Sequence, residues 1–129
     1  MRKAWNFEEL EIWHISKNLA NEIYNMIEKS PIKKDFSFKD QLKRAALSPM
    51  TNITEGFMRG SNKEFIQFLF IARGSIGEIK SFLYFAIERK YINTEQFNKN
   101  EKIIKELLNK IDALIVYLKG TDYKGIKFK

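Results

Sequence analysis

Apolar residues recur at helical spacing in four long segments of this 129-residue chain. Intervals of three and four residues place them on one face of an α-helix, and such a face has to be buried against a partner. Strict alternation of apolar and polar residues, which is typical of strands, never lasts. We therefore predict an all-α fold, an up-down antiparallel four-helix bundle with helices at about residues 8–30, 37–58, 61–89 and 94–119.

Prolines and glycines mark the helix ends in the sequence. Pro31 follows the first helical pattern and Gly120 follows the fourth. Pro49 falls inside the second pattern, where it should kink the helix because it removes one backbone donor. Residues 120–129 form a basic, aromatic tail without helical period. The length suits one domain covering residues 1–129.

The charge of the chain favours an anionic partner. Lys and Arg number 23 against 16 Asp and Glu, which gives a formal net charge of +7. The absence of cysteine excludes disulfides, thiolate metal sites and cysteine nucleophiles. No apolar run approaches the ~18 residues that a membrane span requires, and the N-terminus lacks the apolar core of a signal peptide. We expect a cytoplasmic protein that does not associate with membranes.

The stretch "TEGFMRGSNKEF", residues 54–65, separates the second and third helical patterns. Ser61 and Glu64 have the spacing of a capping box, in which each side chain binds the other residue's backbone amide. Gly56 and Gly60 suit the end of one helix and the reversal into the next. A phosphate-binding P-loop is excluded because the stretch follows a helix and lacks the G-K-[ST] ending. We interpret the stretch as a corner, whose helix N-terminus could also contact a phosphate.

The chain offers little for catalysis. Glu11 and His14 have the E-x-x-H spacing of di-metal helical bundles, and Glu55 and Glu78 could add carboxylates. Those sites use the motif twice, whereas this chain has one histidine. No nucleophile elbow accompanies that histidine. We expect a protein that is not an enzyme, with no catalytic residue, no metal and no cofactor, and the di-metal bundle is the alternative.

Gly74, Ser75 and Gly77 are small residues in the middle of the third helical pattern. A glycine inside a helix costs about 1 kcal/mol relative to alanine. Close approach of another helix backbone can offset that cost. We therefore predict a close helix contact at these positions.

Basic residues are concentrated in the second helical pattern and near the corner, whereas the last helix pairs Glu with Lys four residues apart as a solvated face. Lys39 and Lys43 are one helical turn apart with Arg44 beside them, a geometry that suits contact with successive phosphates. A plain solvated surface is the alternative. The predicted nucleic-acid-binding residues are Lys39, Lys43, Arg44, Arg59, Lys63 and Arg73.

The segments "FEELEIWHISKNLANEIY" and "QLKRAALSPMTNITEGFMRGSNKEFIQFLFIARGSIGEIKSFLYFA" resemble the bacterial four-helix bundle family encoded by intervening sequences of 23S rRNA genes. The resemblance extends from about Phe7 to Leu118. Its most specific part is the order of polar and small residues Asn52, Ile53, Glu55, Gly56, Arg59, Ser61, Glu64, Phe65, Phe68, Ile71, Ala72, Gly74, Ser75 and Glu78.

The resemblance implies a ring-like homopentamer with a basic surface, no enzymatic activity, and binding to nucleic acid, RNA being favoured. The accessory variability determinants of diversity-generating retroelements are similar to this family. That relation implies the alternative function of an accessory subunit that binds a reverse transcriptase and its RNA.

Overall fold

The computed structural model describes residues 4–121 and folds them into four long α-helices. The helices are α1 (Glu11–Glu28), α2 (Phe36–Met58), α3 (Asn62–Glu88) and α4 (Thr94–Lys119). Two 3₁₀ helices, Phe7–Glu9 and Pro31–Lys34, precede α1 and α2. Every element between residues 4 and 121 is helical, which confirms the all-α prediction. The predicted basic tail lies outside the described residues from position 122 onward.

The helices form a closed up-down bundle. Each helix packs on its neighbours in the chain, and α4 also packs on α1. Two ion pairs give the relative direction of α1 and α4: Glu11 pairs with Lys110 at 3.0 Å, and Glu22 with Lys99 at 3.0 Å. The residue number on α4 falls as that on α1 rises, so the two helices are antiparallel. Short connections impose the same arrangement on the other neighbouring helices.

All four helices contribute to one hydrophobic core. Burying a large apolar side chain stabilises the fold by roughly 1.5–3 kcal/mol, so this core supplies most of the driving force for folding. The largest fully buried side chains are Phe57, Phe65, Leu10, Leu19, Ile23, Ile27, Ile32, Leu42, Ile53, Leu69, Ile76 and Ile79.

The first helix is shorter than the predicted range of residues 8–30. Its expected first turn is a separate 3₁₀ helix, in which the Glu9 carboxylate accepts a hydrogen bond from the Asn6 amide at 3.0 Å. Leu10 then takes an extended conformation and is fully buried, so α1 begins only after it. At the other end Ser30 is extended, and α1 ends two residues early.

The second helix continues through Pro49, which is buried inside α2. Polar side chains form hydrogen bonds in the turn around it: the Asn52 amide group donates to the Ser48 carbonyl at 2.9 Å. The Ser48 hydroxyl lies 2.7 Å from that of Ser75, which links α2 to α3. The proline therefore costs one backbone donor without ending the helix.

The corner between α2 and α3 forms as predicted in outline and differs in detail. Gly60 takes the left-handed conformation, with φ 88°, that reverses the chain. Gly56 lies inside α2 instead of ending it. Its lack of a side chain allows the close approach of α3, since an added Cβ would lie 2.5 Å from the Phe68 Cβ. The Ser61 hydroxyl accepts from the Glu64 amide at 3.3 Å, and it lies 3.2 Å from the Glu64 carboxylate, which was predicted to bind the Ser61 amide.

At the opposite end, α3 terminates in a Schellman motif. The Tyr91 amide donates to the Ala86 carbonyl at 2.9 Å, and the Lys90 amide donates to the Ile87 carbonyl at 3.0 Å. Lys90 occupies the left-handed position with φ 61°, where glycine is the usual residue. The chain therefore keeps a lysine at a strained backbone position.

We predict that Gly56→Ala destabilises the protein by up to about 2 kcal/mol. The added methyl group collides with the Phe68 Cβ, which is fixed to the α3 backbone. The overpacking cost of roughly 1–3 kcal/mol exceeds the helix-propensity gain of about 1 kcal/mol. Urea unfolding followed by circular dichroism measures the difference. A midpoint above that of the wild type would contradict the close contact between α2 and α3.

We predict that Lys90→Gly stabilises the fold by about 0.5–1 kcal/mol, because glycine enters the left-handed region without steric cost. Lys90→Ala is the matched control, since it removes the same charge but keeps the Cβ and should bring no such gain. Thermal unfolding of both variants measures the effect. Equal midpoints for the two variants would argue against the left-handed conformation at this position.

Candidate nucleic-acid interface

The six predicted binding residues do not form one surface. Lys39, Lys43 and Arg44 lie near the start of α2, and Arg59 is the residue at its C-terminal cap. At 1.5 Å per residue, the 20 positions from Lys39 to Arg59 extend over about 30 Å. Lys63 lies in the first turn of α3, close in sequence to Arg59. These five residues therefore divide between the two ends of the bundle.

Two of the predicted arginines are paired with carboxylates. Arg59 lies 3.3 Å from Glu55 and 3.7 Å from Glu64, so it joins the two sides of the corner. The Arg73 Nε lies 2.7 Å from Asp112, which joins α3 to α4. An incoming phosphate would have to displace these carboxylates. Their clearest role is structural.

The three predicted residues at the start of α2 make no ion pair within residues 4–121. The Lys39 amine lies 4.7 Å from the centre of the Phe36 ring, and the Lys43 amine lies 4.9 Å from that of Tyr24. Arg44 is exposed beside a shallow cleft between α2 and α3. Because the three charges lie on consecutive turns of one helix, they can contact neighbouring phosphates.

The fold adds four cations that the sequence analysis did not select. Lys33 and Lys34 lie exposed in the 3₁₀ helix before α2, and Arg89 and Lys90 lie exposed at the end of α3. Both segments belong to the same end of the bundle because the α1–α2 and α3–α4 connections are adjacent in an up-down topology. We call this surface the basic end: Lys33, Lys34, Lys39, Lys43, Arg44, Arg89 and Lys90.

A hydrogen bond fixes the two halves of the basic end relative to each other. The Tyr91 hydroxyl donates to Asp35 Oδ2 at 2.8 Å, and the other Asp35 oxygen accepts from the Phe38 amide at 3.2 Å. The Phe38 ring packs against the Tyr91 ring with centres 5.9 Å apart. Asp35 is thus occupied by structural contacts. The Arg89 guanidinium lies 5.9 Å from the centre of the Tyr91 ring and remains at the surface.

The lysines of α4 have a different role. Lys99 and Lys110 were predicted to pair with glutamates of their own helix, but they pair with Glu22 and Glu11 of α1. The pKa of Lys110 is raised, first by its hydrogen bond to Glu11 and then by the charge of that carboxylate. These exposed pairs contribute little to stability, and they leave α4 less positive than its lysine content indicates.

The only histidine is engaged with the backbone. The His14 Nε2 atom lies 2.6 Å from the Glu8 carbonyl oxygen, so that nitrogen donates. Glu11 is paired with Lys110. Between residues 4 and 121, no three His, Asp or Glu side chains converge as metal ligands. The long helices of this same region include none with the length and apolar content needed to cross a membrane.

A second surface runs along the solvent side of α3. Phe70, Ile71, Tyr84 and Phe85 are all exposed there, although they are large and apolar or aromatic. Gly74 and Gly77 lie between them on the same helical face. We call this surface, made of these six residues, the α3 outer face.

The glycines of the α3 outer face have no neighbour in the described part of the chain. An added Cβ at Gly74 or Gly77 meets nothing within 4 Å. The helix contact predicted from Gly74, Ser75 and Gly77 therefore occurs at Ser75, whose hydroxyl meets that of Ser48 on α2, and at neither glycine within the described residues. A helix from another chain could approach there closely.

The sequence and the fold both match known proteins. The sequence model of the 23S rRNA-intervening sequence protein family matches residues 8–113. The fold is similar to the crystal structure of a protein of unknown function from the S23 ribosomal protein family of Bacteroides thetaiotaomicron, with a TM-score of 0.73 and 25% identity. That similarity covers 81% of this chain and 97% of the other. Curated proteins gave no match. Because the family match extends from before α1 into the last turns of α4, this chain belongs to the 23S rRNA-intervening sequence protein family.

Proposed function

We propose that this protein is a non-catalytic, homo-oligomeric nucleic-acid-binding protein of the cytoplasm. The basic end carries the proposal: four of its seven cations come from the two connections at one end of the bundle and three from the first turns of α2, and none makes an ion pair within residues 4–121. Such a surface binds by neutralising phosphates and releasing their counterions. It recognises the shape and charge of a nucleic acid more than its sequence.

RNA is the favoured ligand. The family's name connects its members with an intervening sequence of 23S rRNA. The name of the matched structure's family also connects that protein with ribosomes, although its function is unknown. These names support RNA as the ligand and an intracellular site of action. The geometry of the basic end itself suits either nucleic acid.

The α3 outer face supports the homo-oligomeric part of the proposal. Exposed apolar side chains are unfavourable in water, and glycines inside a helix lower its stability. A second helix packed on this face would offset both effects. A second copy of this chain is the proposed occupant, in the ring-like homopentamer that the sequence resemblance implies. Repetition of the basic end in such an assembly would raise the avidity for a long nucleic acid without any new contact.

The alternative function is that of an accessory subunit of a retroelement reverse transcriptase. The α3 outer face is the observation that favours it, because exposed apolar and aromatic side chains on one helix side can contact a protein partner as well as another copy. In that case the polymerase would cover the face and the basic end would contact its RNA.

Fluorescence anisotropy of a labelled structured RNA over a salt series tests the nucleic-acid part of the proposal. We expect the logarithm of affinity to fall linearly with that of salt concentration, by about 0.9 per neutralised duplex phosphate. The double variant Lys43→Glu with Arg44→Glu should weaken binding roughly 10-fold or more and flatten the slope. The matched control is Lys102→Glu with Lys105→Glu, which changes the net charge equally at exposed positions of α4.

Three outcomes would count against this mechanism or favour the alternative. Equal losses in the two double variants would indicate diffuse attraction to the whole charge and contradict a defined basic end. No binding at low salt would contradict nucleic-acid binding by this protein alone. Retained RNA binding with lost polymerase binding in the Ile71→Asp variant would favour the accessory-subunit function, because Ile71 lies on the α3 outer face.

The homo-oligomeric part is tested by the molar mass in solution, measured by light scattering after gel filtration. We expect the wild type to be a multimer and Ile71→Asp to shift it toward monomer, because a carboxylate would be buried in the subunit contact. Asn18→Asp is the control: it adds the same carboxylate at an exposed position of α1, which packs on α2 and α4 and lies across the bundle from α3. A wild-type monomer at every concentration, or equal effects of the two substitutions, would contradict the proposed contact.

A further inference from the structure

Phe36, the first residue of α2, is an aromatic side chain that the core does not use. It is 69% exposed at the start of the helix. Phe38, two residues later, is buried and its ring lies against Phe82, Phe85 and Tyr91. The packing of this end of the bundle therefore depends on Phe38. Phe36 is not needed for that packing, and its ring is available for contact with a ligand.

Three lysines lie close to Phe36. Lys33 and Lys34 precede it by three and two residues and are exposed, and the Lys39 amine lies 4.7 Å from its ring centre. The nearest acidic residue in the sequence, Asp35, is held by the Tyr91 hydroxyl and the Phe38 amide. Asp40, one helical turn after Phe36, is exposed, so the ring lies among three ammonium groups with one free carboxylate close by.

An exposed aromatic ring beside ammonium groups is suited to the binding of unpaired nucleotides. Every nucleobase has a π face that can stack on an aromatic ring, and each such contact is typically tolerant of sequence. Ammonium groups on either side of the ring in sequence can bind the phosphates that flank the stacked base. In a fully paired duplex the base faces are already stacked on one another, so only the phosphates remain for contact.

We propose that Phe36 is a stacking platform for an unpaired base, and that the basic end consequently prefers single-stranded or looped nucleic acid to a fully paired duplex. This inference rests on the proposed nucleic-acid binding and specifies the ligand of that site. The lysines supply affinity for phosphate, and the ring supplies selectivity for the unpaired state. The α3 outer face has no part in this contact.

Two substitutions of Phe36 distinguish stacking of a base on the aromatic ring from a general apolar contact. Phe36→Leu keeps an apolar side chain of similar size but has no π face, whereas Phe36→Tyr keeps the ring. Val116→Leu is the control for a change at an equally exposed apolar position, since Val116 is 72% exposed on α4. Because Phe36 is outside the core, all three variants should keep the wild-type thermal midpoint.

The experiment is fluorescence anisotropy with a labelled unstructured single-stranded RNA and a labelled RNA duplex of equal length. We expect the wild type to prefer the single strand. Phe36→Leu should weaken single-strand binding about 5-fold or more and leave duplex binding unchanged. Phe36→Tyr and Val116→Leu should bind both probes as the wild type does.

The possible outcomes test base stacking separately from the proposed nucleic-acid binding on which it depends. If the wild type binds both probes through Lys43 and Arg44 but Phe36→Leu changes neither affinity, stacking is overturned and phosphate binding stands. Equal losses for single strand and duplex would also overturn stacking, because a duplex offers no free base face. If the wild type binds neither probe at low salt, both the inference and the nucleic-acid function are overturned.

Discussion

The burial of four amphipathic helix faces in one core is the constraint on which the rest of this structure depends. Short connections leave an up-down bundle as the arrangement that buries all four faces, and that topology brings alternate connections to the same end. The basic end is a direct result, because Lys33 and Lys34 come from one connection and Arg89 and Lys90 from another. The hydrogen bond from Tyr91 to Asp35 then holds the two connections together. The charged surface is therefore a product of the topology, although it contributes little to the core.

Much of this fold could be predicted from the sequence, because long apolar periodicity is a strong local signal. The bounds of the last three helices were within one residue of those observed. The first helix was overestimated, since the side chain of Glu9 and the extended backbone at Leu10 form a separate turn that periodicity does not reveal. Gly56 was misinterpreted for a similar reason: its small size serves a contact with Phe68, which is close in space but 12 positions away in the sequence.

The candidate site was less predictable than the fold, because charge alone does not reveal which cations are already paired. Arg59 and Arg73 looked equivalent to Lys39 in the sequence, yet both have carboxylate partners. Asp112, the partner of Arg73, comes from α4, which the sequence does not place beside it, whereas Glu55 pairs with Arg59 at a spacing that was visible in the sequence. Arg89 and Lys90 were missed because they lie about 50 positions from the other cations and meet them only through the up-down topology. The sequence signal for these two cations was their position, at the end of the third helical pattern and before Tyr91. It becomes informative only after the topology is known.

The separation of the two exposed surfaces bears on how assembly and binding can coexist. The α3 outer face runs along the side of the bundle, whereas most of the basic end is formed by the connections at one end of it. Copies joined through the side of α3 would leave the cations of the α1–α2 connection clear of that contact, whereas Arg89, one helical turn after Phe85, would lie at its border. Lys90 has a left-handed backbone conformation that lowers the stability of the fold relative to a glycine at the same position. In return the basic end keeps a cation there. A residue kept at such a cost is more readily explained by a surface that meets a ligand than by packing.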